Sequence, residues 1–410
     1  MRILWLNAGL LLPLDKGGKL RTWHLMRHLA RRHEITYLSF ADPTATAADR
    51  EGMREVCHDL HVVERSDPAK GSPAFYADAA RRVFDRLPYA AGKYRSREYA
   101  DRLSDLLATN AFDLIVCDFL VPAVNLPATL PCPAVVFTHN VESDIWRRHF
   151  ERQANPVARA LYRQQWQRMV RFEAETLARF DLVLAVSDTD RETFKRLYPS
   201  ALRGPVVTVA TGVDTSYFTP RPGDVGDPRH LVFTGSMDWI PNEDAMRHFC
   251  HDVLPLIRAQ EPDVTLSIVG RAPTPAVRRL ADIPGVTVTG RVDDVREHIG
   301  RGGVYVVPIR IGGGTRLKIF EAMGMGRAVV STTVGAEGLP VTDGADVVIA
   351  DAPQDFADAV VALIRDPARR VQLERAARDL VVARYDWSAV AGQLDEALIN
   401  AATKRDAAAA

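Results

Sequence analysis

Short apolar runs rich in Val, Ile and Leu alternate with amphipathic stretches of helical length along almost the whole chain, and the series starts twice. In the first half the runs are residues 3–6, 35–40, 114–117, 134–137, 182–186 and 206–209. In the second half they are 231–234, 264–269, 286–289, 304–308 and 328–331. Such short runs, bounded by turn signals, are the pattern of strands buried on both faces. Strand, helix, strand in repeated succession implies a parallel sheet covered by helices on both sides. The sequence therefore predicts an α/β chain of two doubly wound, Rossmann-like domains.

Between the two series, residues 220–229 read PRPGDVGDPR, and this Pro, Gly and Asp content predicts an interdomain linker. The expected domains are 1–215 and 216–385, followed by a last helical region at 386–402. A length of 410 residues accommodates two or three domains, and 47% hydrophobic with 25% charged residues is a soluble globular mixture. Lys and Arg number 52, as do Asp and Glu, so no basic surplus points to nucleic acid. The four cysteines have no metal-ligand spacing and read as buried thiols of a reducing compartment, which suggests a cytoplasmic protein. No apolar stretch reaches the roughly 18–20 residues of a membrane span. Residues 1–14 have the apolarity of a signal peptide, but no small-residue cleavage site follows and Asp15-Lys16-Gly17-Gly18 interrupts them.

The densest chemistry lies in IGGGTRLKIFEAMGMG, residues 311–326. Three glycines, Gly312 to Gly314, follow a predicted strand. Thr315 is placed to cap a helix and Gly326 to end it as a left-handed residue. Strand, glycine loop and helix N-terminus form an anion-binding arrangement, because free backbone N–H groups and the helix dipole both favour negative charge. Lys318 and Glu321 are three apart and share a helix face. Lys318 is suited to phosphate, Glu321 to ribose hydroxyls, and Arg316 to the same anion from the loop edge. The competing reading is a plain turn followed by a surface ion pair, which contributes little.

Other strand ends carry polar residues where ligands bind in such sheets. Gly17-Gly18 is expected in the loop after the first strand, with Lys19 and Arg21 just beyond; a simple βα turn is the alternative. His139 follows the strand 134–137, and a lone histidine there serves either the site or the packing. Glu142 and Asp144 are read as capping the next helix. Residues 75–99 mix Phe75, Tyr76, Phe84, Tyr89, Tyr94 and Tyr99 with six basic residues. That mixture suits an anionic membrane surface or a lipid-linked acceptor. It suits equally a pair of helices with an aromatic core side, which is the preferred reading.

The segment 311–326 resembles the donor-binding helix of retaining glycosyltransferases of family 4, in the GGGTRLK form. Glu321-Ala322-Met323 matches the second half of the family pattern, while its first acidic position falls on Gly313. Gly17-Gly18, His139 and Gly212-Val213-Asp214 occur in the family's order. The resemblance implies the GT-B fold, two Rossmann-like domains facing across a cleft, with the C-terminal helix crossing back onto the first. It implies a nucleotide-diphosphate sugar as donor and a glycan or lipid-linked acceptor. His139, Arg316 and Lys318 would be catalytic. Gly17, Gly18, Gly235, Arg291, Val292, Gly313, Gly314, Thr315, Leu317 and Glu321 would bind donor, with the backbone after Gly290 receiving the nucleobase. Many members clamp the diphosphate with an Arg and a Lys near residue 236. Here Ser236 and Asn242 stand in that region, so Arg316 and Lys318 are expected to supply the charge. No metal and no cofactor are expected. Polysaccharide or lipid-linked glycan synthesis follows, at the cytoplasmic face of a membrane if the chain touches one. Two alternatives stay open: a sugar-nucleotide epimerase of the same fold, and a homologue that binds nucleotide sugar without turning it over.

Overall fold

The structure, a computed structural model, describes all residues apart from 16, 70, 222, 223, 225, 312–316 and 410; the side chains of 79 and 404–409 also lie outside it. The chain forms two compact units, 1–210 with 390–410, and 211–389.

In the first unit seven strands make one sheet: β1 Arg2–Asn7, β2 Glu34–Ala41, β3 Asp59–Glu64, β4 Leu114–Asp118, β5 Ala134–Phe137, β6 Leu182–Ala185 and β7 Val206–Thr208. Their order is β3-β2-β1-β4-β5-β6-β7 and every pairing is parallel. The order reverses between β1 and β4, which opens a crevice at their carboxyl ends. Ile3, Leu4, Trp5 and Leu6 are fully buried, as a strand covered by helices on both faces requires.

The first helix runs Gly17–Leu29. Gly17 and Gly18 are its first two residues, which corrects their placement in a loop. The helix forms in spite of them because Thr22, Leu25, Met26 and Leu29 make a buried stripe at helical spacing, and tertiary packing outweighs the propensity cost of glycine. Residues 75–99 divide between core and surface. Tyr99 is fully buried and its hydroxyl donates to Leu38 O at 3.0 Å, whereas Phe84 is 89% exposed. The final helix, Trp387–Ala409, enters this unit from residue 390. Its buried Asp395 accepts from His33 Nε2 at 2.5 Å and Arg32 Nη1 at 2.7 Å.

The second unit holds six parallel strands: β8 Asp227–Thr234, β9 Thr265–Val269, β10 Val286–Gly290, β11 Gly302–Val307, β12 Ala328–Ser331 and β13 Val348–Ile349. Their order is β10-β9-β8-β11-β12-β13. β8 begins four residues before the expected 231, so Asp227-Pro228-Arg229 belongs to the sheet and not to the linker. The first half of β8 is only partly covered, and it tolerates the polar residues that read as linker. The helix Leu317–Gly324 closes as expected on Gly326, at φ +63°. Gly326 N–H donates to Met323 O at 2.9 Å and Arg327 N–H to Ala322 O at 3.0 Å, the paired bonds of a Schellman ending. Gly212-Val213-Asp214 has a packing role. Val213 bridges to Asp386, and a Cβ on Gly212 would come within 2.5 Å of the Trp387 ring.

Candidate functional site

In the first unit, polar groups converge at the carboxyl ends of β1, β4 and β5. Asp118, the last residue of β4, has no solvent exposure. Its Oδ2 accepts from Asn7 Nδ2 at 2.7 Å, Thr22 Oγ1 at 2.7 Å and Trp5 Nε1 at 3.2 Å. Its Oδ1 accepts from His139 Nε2 at 2.7 Å. The other ring nitrogen, Nδ1, lies 3.2 Å from Arg21 Nη1. A guanidinium only donates, so Nδ1 accepts and the proton sits on Nε2. Burial lowers the His139 pKa against the pull of Asp118 and keeps the imidazole neutral at pH 7. Burial also brings Arg21 down to about 10, while Asp118 and Asp190 hold it up. Arg21 therefore stays charged, and an Asp–His–Arg relay with balanced charge lies under the sheet ends.

His139 stands where the sequence put it, but both its nitrogens are engaged and its side chain is 3% exposed. Phe119 covers one face, its ring 3.8 Å from the imidazole and within 8° of parallel. Phe119 is half-buried and sits at φ +66°, a conformation that costs a bulky residue about 1–3 kcal/mol. Gly18 reaches His139 only through Phe119: a Cβ on Gly18 would lie 2.7 Å from Phe119 Cζ. Gly17 faces open space.

The helix Glu142–Arg152 after His139 is not capped by Glu142. Its first N–H groups, of Glu142 and Ser143, donate to the Glu173 carboxylate at 2.9 and 3.2 Å, and Tyr198 Oη adds 2.6 Å. The cap thus comes from 30 residues away. Burial, then Glu173, push the Glu142 carboxyl up to about 7.

In the second unit three strand ends carry glycine: Gly235 after β8, Gly270 after β9 and Gly290 closing β10. A Cβ on Gly270 would overlap the Gly235 carbonyl oxygen, and one on Gly235 would lie 2.8 Å from Lys318 Nζ and 2.6 Å from Asn242 Nδ2. The strand ends form a shelf of bare backbone with one ammonium set against it. Lys318 Nζ donates to Asn242 Oδ1 at 2.9 Å and lies 4.0 Å from the Phe233 ring centroid. Asn242 is itself fixed by donating to Ser236 O at 2.8 Å. Ser236 and Asn242, which replace charged residues expected in this region, thus hold the charge that Lys318 brings.

One turn along, Glu321 keeps some solvent contact, yet burial takes its carboxyl up to about 7 against the pull of Lys318. Burial, with Glu321 a lesser influence, raises the Tyr305 phenol, which accepts from Thr234 N–H at the end of β8 at 3.2 Å. Leu317 opens the helix and is half-buried; Arg291 is exposed and Val292 half-buried beyond Gly290. Gly235 and Lys318 are brought into contact, with Glu321 beside them; Arg291 and Val292 stand two strands away from Gly235. Gly313, Gly314, Thr315 and Arg316 lie outside the described residues. Sequence reasoning missed Thr22, Asn7 and Phe119, and gave Asp118, a polar strand end, no role of its own. Asp118 ends a strand as His139 follows one, and that was the signal available. Among the described residues no cluster of His, Cys, Asp and Glu could hold a metal, and no helix is long and apolar enough to cross a membrane.

Comparison with known proteins adds a separate line. Residues 16–217 match the family model "Glycosyltransferase Family 4" and residues 228–366 the model "Glycosyl transferases group 1". The phosphatidyl-myo-inositol mannosyltransferase of Mycobacterium leprae is 31% identical over 220 residues, which are 52% of this chain and 57% of that protein. The chain thus spans little more than half the length of such relatives. An uncharacterized 44.6 kDa protein in the cps region of Klebsiella pneumoniae is 21% identical over 85% of this chain and 87% of its own. Among solved structures, Anabaena HepE in complex with UDP superposes with a TM-score of 0.68 at 16% identity, covering 98% of this chain and 100% of that one. The sucrose-phosphate synthase of Thermosynechococcus elongatus gives 0.63 at 18% identity, covering 98% and 100%. Both neighbours share the GT-B architecture of two Rossmann-like domains.

Proposed function

The chain belongs to glycosyltransferase family 4, and from that premise we propose that it moves a sugar from a nucleotide-diphosphate donor to an acceptor hydroxyl with retention of configuration. The observation that carries the reading is the Lys318 ammonium held by Asn242 against the bare backbone of Gly235, one turn from Glu321. A diphosphate needs compensating charge as it leaves, and a fixed cation beside free backbone supplies it. Lys318, Arg316 and the start of the helix Leu317–Gly324 meet the phosphates, with the backbone of Gly313, Gly314, Thr315 and Leu317. Glu321 accepts from ribose hydroxyls. Arg291 and Val292 flank the base, Gly17 and Gly18 approach the diphosphate, and His139 serves the transferred sugar.

The bond from the anomeric carbon to phosphate breaks while the acceptor oxygen bonds the same carbon on the same face. The acceptor proton passes to a phosphate oxygen of the leaving group. The route needs neither a carboxylate nucleophile, a metal nor a cofactor. The mannosyltransferase relatives favour a glycan or lipid-linked acceptor. Work on such an acceptor places the protein at the cytoplasmic face of a membrane. The test is incubation with UDP- and GDP-sugars and polyprenyl- or phosphatidylinositol-linked acceptors, with proton NMR of the product. Transfer with the donor's anomeric configuration, reduced about 10²–10³-fold by Lys318→Ala, supports the reading. Inverted product would refute retention. A changed nucleotide sugar without acceptor would make the chain an epimerase, and binding without turnover a nucleotide-sugar binder.

A further inference from the structure

We propose that Phe119 is a positioning residue that sets the plane of the His139 imidazole, and that residue 18 is glycine to leave room for the Phe119 ring. The inference rests on the reading that His139 serves the transferred sugar. Asp118 and Arg21 hold the imidazole at its two nitrogens, 2.7 and 3.2 Å away. Two in-plane bonds fix the tautomer and the direction of each nitrogen. They leave the ring able to tilt about the line that joins those nitrogens. The Cβ–Cγ bond limits how far that tilt can go, and within that limit packing on the ring faces sets the plane.

Phe119 covers one face almost in parallel, at 3.8 Å and 8°. Phe137 meets the ring as well, but at 4.8 Å and 38°, so it cannot define a plane. The stack is held by the backbone. Phe119 N–H donates to Phe137 O at 2.9 Å, the Cys117 thiol donates to Phe119 O at 3.4 Å, and the residue sits at φ +66°. A bulky residue in that region persists only where its surroundings over-determine it, and such residues gather at functional sites. Gly18 is the fourth part. Its absent Cβ would lie 2.7 Å from Phe119 Cζ and 3.6 Å from both Cε atoms, squarely on the ring tip. An alanine there must push the ring off the imidazole.

This geometry makes a double-substitution cycle decisive. Gly18→Ala and Phe119→Gly should each lower kcat roughly 10- to 100-fold, the scale of a small misplacement at a reacting centre. Far-ultraviolet circular dichroism and the unfolding midpoint of each variant should match the wild type and report that it is folded. The double variant should be no worse than Phe119→Gly, because with the ring gone the added methyl has nothing to displace. The nitrogen-15 shifts of His139 should move in Gly18→Ala and Phe119→Gly, and return in Phe119→Tyr together with most of the rate. Additive losses in the double variant, or wild-type His139 shifts in Gly18→Ala, would overturn the inference. His139→Ala separates this from the wider reading. If it alone retains the full rate, His139 has no part in transfer, whereas the nitrogen-15 shifts still decide whether Phe119 sets the ring.

Discussion

Replacing Glu321 by Gln should make the protein more stable, and increasingly so as pH rises. Burial carries the Glu321 carboxyl from its ordinary 4.5 to about 7. A raised carboxyl pKa means that the folded state favours the protonated form. The stability it contributes is complete below about pH 4.5 and is lost as pH rises through 7. A shift of this size corresponds to about 3 kcal/mol at high pH, an upper bound because the side chain keeps some solvent contact. Between pH 5.5 and 8.5 the expected change is about 2 kcal/mol, since roughly two fifths of the loss has already occurred by pH 5.5. Glutamine keeps the shape and never ionises. Denaturant unfolding of both proteins across that range isolates the term, because all other titrations are common to the two. The difference in unfolding free energy should widen by about 2 kcal/mol in favour of Glu321→Gln. A difference that stays flat across the range would refute the claim that Glu321 sits in an environment hostile to its charge. A bound ribose that donates to the carboxylate should reverse the preference, so nucleotide binding near pH 7 should release a proton.

Other outcomes follow from the same geometry. Asp118→Ala leaves four polar donors without their acceptor and takes from the buried Arg21 the stronger of its two neighbouring carboxylates, and should cost about 3–5 kcal/mol in denaturant unfolding; a loss under 1 kcal/mol would show that the relay is not a buried ionic network. Gly270→Ala places a methyl on the Gly235 carbonyl and should abolish nucleotide binding in calorimetry, while Gly17→Ala, which meets open space, should leave the fold intact by circular dichroism. All four cysteines are buried, and burial pushes Cys57 and Cys250 up to about 12. The native protein should therefore resist thiol reagents at pH 8 and react fully only when unfolded.

The fold was legible because its signals are local. Runs such as 134–137 and 304–308 are too apolar and too short for anything but buried strands, and Gly326 ends its helix where a left-handed residue must. The misread boundaries have physical causes. Gly17 and Gly18 are poor helix formers made helical by the stripe from Thr22 to Leu29. Asp227-Pro228-Arg229 looks like linker because the start of β8 is partly uncovered. The site was legible where one residue carries its own chemistry, as with Lys318 and His139. It was not legible where the chemistry lies in pairing. Asp118 collects donors from Asn7, Thr22 and His139, positions 111, 96 and 21 residues away, which no periodicity connects. Phe119 at positive φ has no signature, since phenylalanine rarely adopts that conformation. Glu142 was read as a cap because acidic residues in a first turn commonly are, but Glu173 had already taken those N–H groups.

The measurement that bears most directly on the account is calorimetric titration of the wild type, Lys318→Ala and Glu321→Ala with UDP, GDP and ADP. The account predicts that one nucleotide binds the wild type with a micromolar dissociation constant. Each substitution should weaken it by about 10- to 100-fold, the loss of one charge-assisted hydrogen bond. No binding of any nucleotide, or binding that ignores both substitutions, would mean that the glycine shelf and the Lys318–Glu321 helix are not a donor site.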